Sequence, residues 1–185
     1  MIKFFFSKIW AKNEDLGDPA TAHAIVSAVN HRDGRSLFRV ERDMNGYYLL
    51  LQSANRPAFE VLPGITFQTK AVDFTLQKRQ YLFKVRANPV KINADGKRVA
   101  LSNTEQRDKW FSQIFEANGF ESVEVSSGSE GIQKFGRSER KIVAYSAIFD
   151  GVFRVKDPMK AEQIILRGVG KCKAFGFGLI TLKPV

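Results

Sequence analysis

The sequence predicts an α+β protein built as two tandem ferredoxin-like (RRM-like) β-α-β-β-α-β units. Three observations carry that prediction. Capped segments of helical periodicity begin at Asp18, near Ser102 and Asn103, and at Asp157. Runs of β-like alternation fill the intervals between them. The order strand, helix, strand, strand then recurs, and 185 residues with 44% hydrophobic content and sixteen Phe hold enough apolar side chain for two small cores.

Residues 1–9 alternate loosely as a strand. In "DPATAHAIVSAVN", Asp18 is the cap, Pro19 fits the first helical turn, and Ala22, Ile25, Val26 and Val29 recur at helical spacing. "SLFRVERD" and "GYYLLLQS" flank "MNG", a hairpin signal, and "ITFQTKAVDFTL" supplies a further strand or pair after the short link between Pro57 and Pro63. The second half opens with the strand "QYLFKVRAN". The helix in "SNTEQRDKWFSQIFEANG" follows, with Trp110, Phe111, Ile114 and Phe115 on one side and Gly119 as its stop. Strands around 120–126 and 141–154, a helix from Asp157 and the closing strand "GLITLKP" complete the order. The join falls near residues 72–79, which gives domains 1–76 and 77–185.

The formal net charge of +10 points to a polyanionic partner, nucleic acid before an anionic membrane, because excess Lys and Arg concentrate phosphate-bearing ligands at the surface. No apolar run approaches the 18 residues of a membrane span, and "MIKFFFSKIW" is too short and too interrupted by lysine for a signal sequence, so a cytoplasmic place is expected. Cys172 is the single cysteine, and with only His23 and His31 no spacing suggests a protein-built zinc site. Chemistry without a bound metal or cofactor is the expectation.

Cations cluster in two stretches. "GIQKFGRSERK", residues 131–141, carries Lys134, Arg137, Arg140 and Lys141 against Glu139 and reads as a mobile basic hairpin. Lys84, Arg86, Lys91, Lys97 and Arg98 stand against Asp95, partly in the loop "NPVKINADGKR". "RGVGKCKAFGFGLITL" places Gly168, Gly170, Gly176 and Gly178 within eleven positions. A phosphate-cradling loop precedes its helix, whereas this one follows a helix and enters a strand, so the glycines are expected first to let backbone pass close to backbone, with Phe175 and Phe177 filling core.

"FKVRANPVK" with "GKRVAL", "KWFSQIFEANGF", "FDGVFRVKDP" and the close "GVGKCKAFGFGLITLKP" resemble, in order from about residue 35 to the end, the CasE-type endoribonucleases that cleave CRISPR repeats within the Cascade complex. The resemblance implies tandem ferredoxin-like domains, binding of the repeat hairpin of precursor CRISPR RNA, metal-independent cleavage at its 3′ base, and other Cascade subunits as partners. It also implies that Lys171 and Lys173 reach RNA phosphate beside the glycines, and that the basic hairpin reaches the RNA stem.

Histidine is the side chain suited to proton transfer near neutral pH. His23 lies where the family carries its catalytic histidine; His31 lies just past that helix, in a surface role. The family commonly has tyrosine three residues before the histidine and, in some members, lysine five residues after it. This chain has Ala20 and Ala28 there, so either a second proton carrier or charge stabiliser comes from elsewhere, with Ser27, Lys12 or a basic residue of the second domain as candidates, or the activity is reduced. A non-catalytic RNA-binding subunit, and a general RNA-binding module using an exposed sheet, remain the alternatives.

Overall fold

In the computed structural model, residues 2–11, 16–30, 36–135 and 142–185 are described. The first unit comprises β1 (Ile2–Ala11), α1 (Pro19–Val29), β2 (Ser36–Asp43), β3 (Gly46–Ser53) and β4 (Ile65–Phe74), in an antiparallel sheet of order β2-β3-β1-β4. The second comprises β5 (Gln80–Ala87), α2 (Thr104–Ala117), β8 (Phe120–Phe135), β9 (Ile142–Val155), α3 (Pro158–Arg167) and β10 (Ile180–Pro184), in an antiparallel sheet of order β10-β5-β9-β8. Both orders are ferredoxin-like. A small hairpin of β6 (Val90–Ile92) and β7 (Arg98–Ala100) extends from the connection between β5 and α2.

Local chemistry explains the helix starts. Asp18 accepts from the backbone N–H groups of Ala20 and Thr21, and Pro19 needs no hydrogen-bond acceptor at the first helical position. Asn103 and Asp157 cap α2 and α3 in the same way. The first unit departs from a full β-α-β-β-α-β order. Its second helix is reduced to a 3₁₀ turn, Phe59–Val61, because Pro57 and the Pro63–Gly64 pair bracket too few residues for a helix.

The units are interlocked. Strand side chains alternate between faces, so β1 sends Ile9 into a core with Ala22, Ile25, Val26 and Val29 of α1, while Ile2 enters the core of the second unit. That second core is aromatic: Phe111 stacks on Phe115 at 4.3 Å and on Phe149 at 4.5 Å. Among the described residues, no helix is long and apolar enough to cross a membrane.

The described part of the basic segment, residues 131–135, is strand. Pairing of β8 with β9 continues to Phe135 opposite Ile142, so residues 131–135 are strand rather than mobile loop. A register shift between Ser129 and Gly131 absorbs the glycine-rich stretch as a bulge, with Gly131 at φ +80°, and pairing then resumes. Phe135 anchors this arm by burial against Phe175 and Phe177.

Candidate functional site

His23 projects from the middle of α1, half-buried, at the place where the first unit meets the glycine-rich loop of the second. Its Nδ1 lies 3.2 Å from the Ser27 hydroxyl one turn later, which donates or accepts according to the imidazole tautomer. Its ring stacks on Phe175, with centroids 5.4 Å apart and planes inclined by 30°. Phe175 in turn stacks on Phe135 at 4.8 Å.

The loop that presents Phe175 depends on its glycines. Gly168 ends α3 at φ +72°, where a Cβ would stand 2.8 Å from the Gly178 carbonyl and from both Leu37 methyls. A Cβ on Gly178 would stand 2.6 Å from the Val169 carbonyl. That closeness lets Val169 N–H donate to the Gly178 carbonyl at 3.0 Å and Gly178 N–H to the Arg86 carbonyl at 2.7 Å. Between these points Cys172 adopts φ +62° and begins the 3₁₀ turn Lys173–Phe175, which carries the ring toward α1.

Beside this junction lies a cavity of about 500 Å³, with Phe175 and Pro19 in its wall. Glu41, Lys84, Arg86 and Glu130 also line it, and they are paired. Lys84 Nζ meets Glu41 at 2.8 Å, and Arg86 meets Glu130 in a two-point contact. Burial alone pushes the Glu41 carboxyl up, but the hydrogen bond from Lys84 and the Arg39 charge hold it below the ordinary value. Glu130 behaves alike: burial raises it, and the Arg86 hydrogen bond and charge bring it below the usual range.

Arg39, fully buried, joins the units. It donates to the carbonyls of Lys84 and Leu179, to the Thr181 hydroxyl and to Glu41. Four satisfied donors offset the cost of removing its charge from water.

The structure thus brings His23 to the glycine-rich loop but divides the second basic cluster. Lys84 and Arg86 lie in the cavity wall, while Lys91, Lys97 and Arg98 are exposed on β6–β7. Lys134 is exposed on β8, Lys171 is exposed, and Lys173 is half-buried. Lys12, His31, Arg137, Arg140 and Lys141 lie outside the described residues. Ala20 and Ala28 flank His23 on α1. Arg39, Glu41 and Glu130 carry no sequence signal of their role, because Arg39 meets Leu179 and Thr181 some 140 positions away, with no local pattern to mark it. Phe175 reads in the sequence as core filler, and its aromatic type is the available signal for a ring partner.

Comparison with known proteins supplies a family. The model of the CRISPR associated protein family matches residues 5–184. The chain is 31% identical, over 94% of both lengths, to the CRISPR-associated endoribonuclease Cse3 of Thermus thermophilus. It is 29% identical to the Cascade subunit CasE of Escherichia coli, over 80% of this chain and 81% of that one. Thermus thermophilus Cse3 bound to an RNA representing a pre-cleavage complex superposes with TM-score 0.86 at 27% identity, covering 99% of this chain and all of the other. Escherichia coli Cas6e superposes with TM-score 0.81 at 26% identity, over 98% of this chain and all of that one. A family match that spans nearly every residue, over a fold shared from end to end, places this chain in the CRISPR associated protein family.

Proposed function

We propose that this chain is a CRISPR RNA-processing endoribonuclease of a Cascade-type complex, acting in the cytoplasm on the repeat hairpin of precursor CRISPR RNA. The observation that carries the proposal is His23, held at the junction of the two units by Ser27 and Phe175. Similarity over 94% of the chain to Cse3 and over 80% of it to CasE supports the substrate class.

In the proposed reaction the RNA 2′-hydroxyl at the 3′ base of the hairpin attacks the adjacent phosphorus. The bond to the 5′-oxygen breaks, leaving a 2′,3′-cyclic phosphate and a 5′-hydroxyl. The nucleophile is already tethered to the atom it attacks, which supplies the advantage of an intramolecular reaction without metal activation. His23 accepts the 2′-hydroxyl proton or donates one to the departing oxygen, contributing on the order of 10²–10⁴-fold.

Lys134, Arg137, Arg140 and Lys141 are proposed to meet phosphates along the stem. Lys91, Lys97 and Arg98 on the small hairpin, and Lys171 and Lys173 on the glycine-rich loop, extend that basic surface. A-form RNA is recognised chiefly through phosphates, shape and 2′-hydroxyls, for which long cations are suited. Arg86 belongs to the same proposal at the cavity wall, where its charge is shared with Glu130.

A second reading, a subunit that binds the hairpin without cutting it, is favoured by Ala20 and Ala28 beside His23. Product ends decide between them. Incubation of a repeat hairpin in EDTA should yield a 2′,3′-cyclic phosphate, whereas intact bound hairpin would support the binding subunit.

A further inference from the structure

His23 is held from two directions. The Ser27 hydroxyl engages Nδ1 along one edge of the imidazole, and the Phe175 ring covers a face. The two partners come from different units: Ser27 shares α1 with His23, and Phe175 arrives on the second unit's loop. Phe175 is itself fixed, because the left-handed Cys172 and Gly176 bracket its 3₁₀ turn and the buried Phe135 stacks against it. An imidazole on an exposed helix face samples several χ1 and χ2 rotamers; one with a face and a nitrogen both occupied does not.

We infer that Phe175 and Ser27 are positioning residues for His23, and that together they make Nε2 its reacting nitrogen. This rests on the proposed cleavage reaction. With Nδ1 turned to Ser27, Nε2 is the nitrogen that meets the RNA. When Nε2 takes up and gives back a proton, Nδ1 keeps its own, so Nδ1–H donates to the Ser27 hydroxyl oxygen and the clamp holds in both protonation states that proton transfer requires. Neither Phe175 nor Ser27 needs to touch the reacting atoms. Their effect is on how often the imidazole stands in the productive geometry, and small misplacements there cost large factors in rate.

Single-turnover cleavage of a repeat hairpin and hairpin affinity, measured on the full chain, test this. Phe175→Leu removes the ring but retains apolar bulk, and should slow cleavage roughly ten- to a hundredfold with affinity changed by no more than about twofold. Phe175→Tyr restores the ring and should recover most of the lost rate. Ser27→Ala should slow the step by a smaller factor, again without loss of affinity. Wild-type cleavage by Phe175→Leu, or a loss of affinity matching the loss of rate, would overturn the inference. So would a Tyr variant as slow as the Leu variant.

A second readout is taken on the unmodified protein, with a variant used only to assign it. Ring current from Phe175 should displace the His23 imidazole proton resonances from their free-histidine positions. Only two histidines are present, so loss of a resonance in His23→Ala makes the assignment. Undisplaced His23 resonances would also refute the clamp. Failure of the underlying reading looks different: if His23→Ala still cleaves, the reaction assignment falls. If His23→Ala is inactive while Phe175→Leu and Ser27→Ala are both fully active, only the positioning roles fall.

Discussion

Arg86 of β5 meets Glu130 of β8 through contacts of 2.7 and 2.8 Å, while its remaining Nη donates to the Val40 carbonyl of β2 at 2.9 Å. One side chain thereby ties the edge of the first sheet to the arm of the second. Glu130 also accepts from the buried Ser146 hydroxyl at 2.6 Å. The pair is partly open to solvent, which limits its strength, but its two-point geometry and carbonyl contact make it more than a surface ion pair.

Glu130→Gln should therefore destabilise the protein by about 1–2 kcal/mol, lowering the melting temperature by roughly 2–8 °C at neutral pH. Glu130 and Glu41 both titrate below the ordinary carboxylate value in the folded chain, so between the two values the unfolded state binds more protons. Their contribution is complete above an unfolded value of about 4.3 and disappears as pH falls through the lowered folded value. Thermal melts from pH 7 to pH 3 should show a shallower acid loss for Glu130→Gln than for the parent. Parallel curves would show that this pair does not drive acid sensitivity.

Gly178→Ala should cost about 3 kcal/mol or more, since φ is +84° and the new Cβ would press on the fixed Val169 carbonyl. Gly128→Ala is the control, at a site with open space around its Cβ and ordinary φ. Denaturant midpoints of the two variants make the comparison. Equal stability would mean that the glycine-rich loop relaxes without strain.

His23→Ala should remove cleavage by about 10²-fold or more and leave hairpin affinity within a few-fold, because a proton carrier acts on the transition state rather than on the bound substrate. Rate and affinity falling together would identify a structural histidine. His31→Ala should change little, and a larger defect there would move the proton transfer to that residue.

Replacing Lys134, Arg137, Arg140 and Lys141 by Ala should flatten the log–log salt dependence of hairpin binding by about two to three units, at roughly 0.7 to 0.9 per phosphate contact. The arm should keep its fold, because Lys134 is exposed and the anchor of the strand is Phe135. An unchanged slope would move the stem contacts toward Lys91, Lys97 and Arg98.

An enzyme that cuts at the foot of a hairpin keeps the stem contacts afterwards, so product should remain bound and turnover should stop near one per protein. Pre-steady-state bursts without a following steady phase would show this. Rapid multiple turnover would exclude a product-holding subunit.

Elements whose cause is local were legible in the chain alone. Asp18 with Pro19, Asn103 and Asp157 fixed where the helices begin, and the two-residue turn at Met44 and Asn45 fixed the register of β2 with β3, because caps and tight turns are decided by residues within a few positions of each other. The repeated element order and the basic composition could be read in the same way, whereas His23 stood out as a candidate only through the family resemblance. Tertiary structure decided what depends on distant partners. The bulge at Gly131 and the burial of Phe135 made residues 131–135 strand where the sequence suggested loop, and Arg39 found its acceptors on β5 and beside β10. His23 acquired Phe175, from the far end of the chain, as the ring stacked against it. Sequence spacing constrains neighbours along one helix or strand; which side chains meet across two folded units is settled only when both sheets have closed and their backbones have docked.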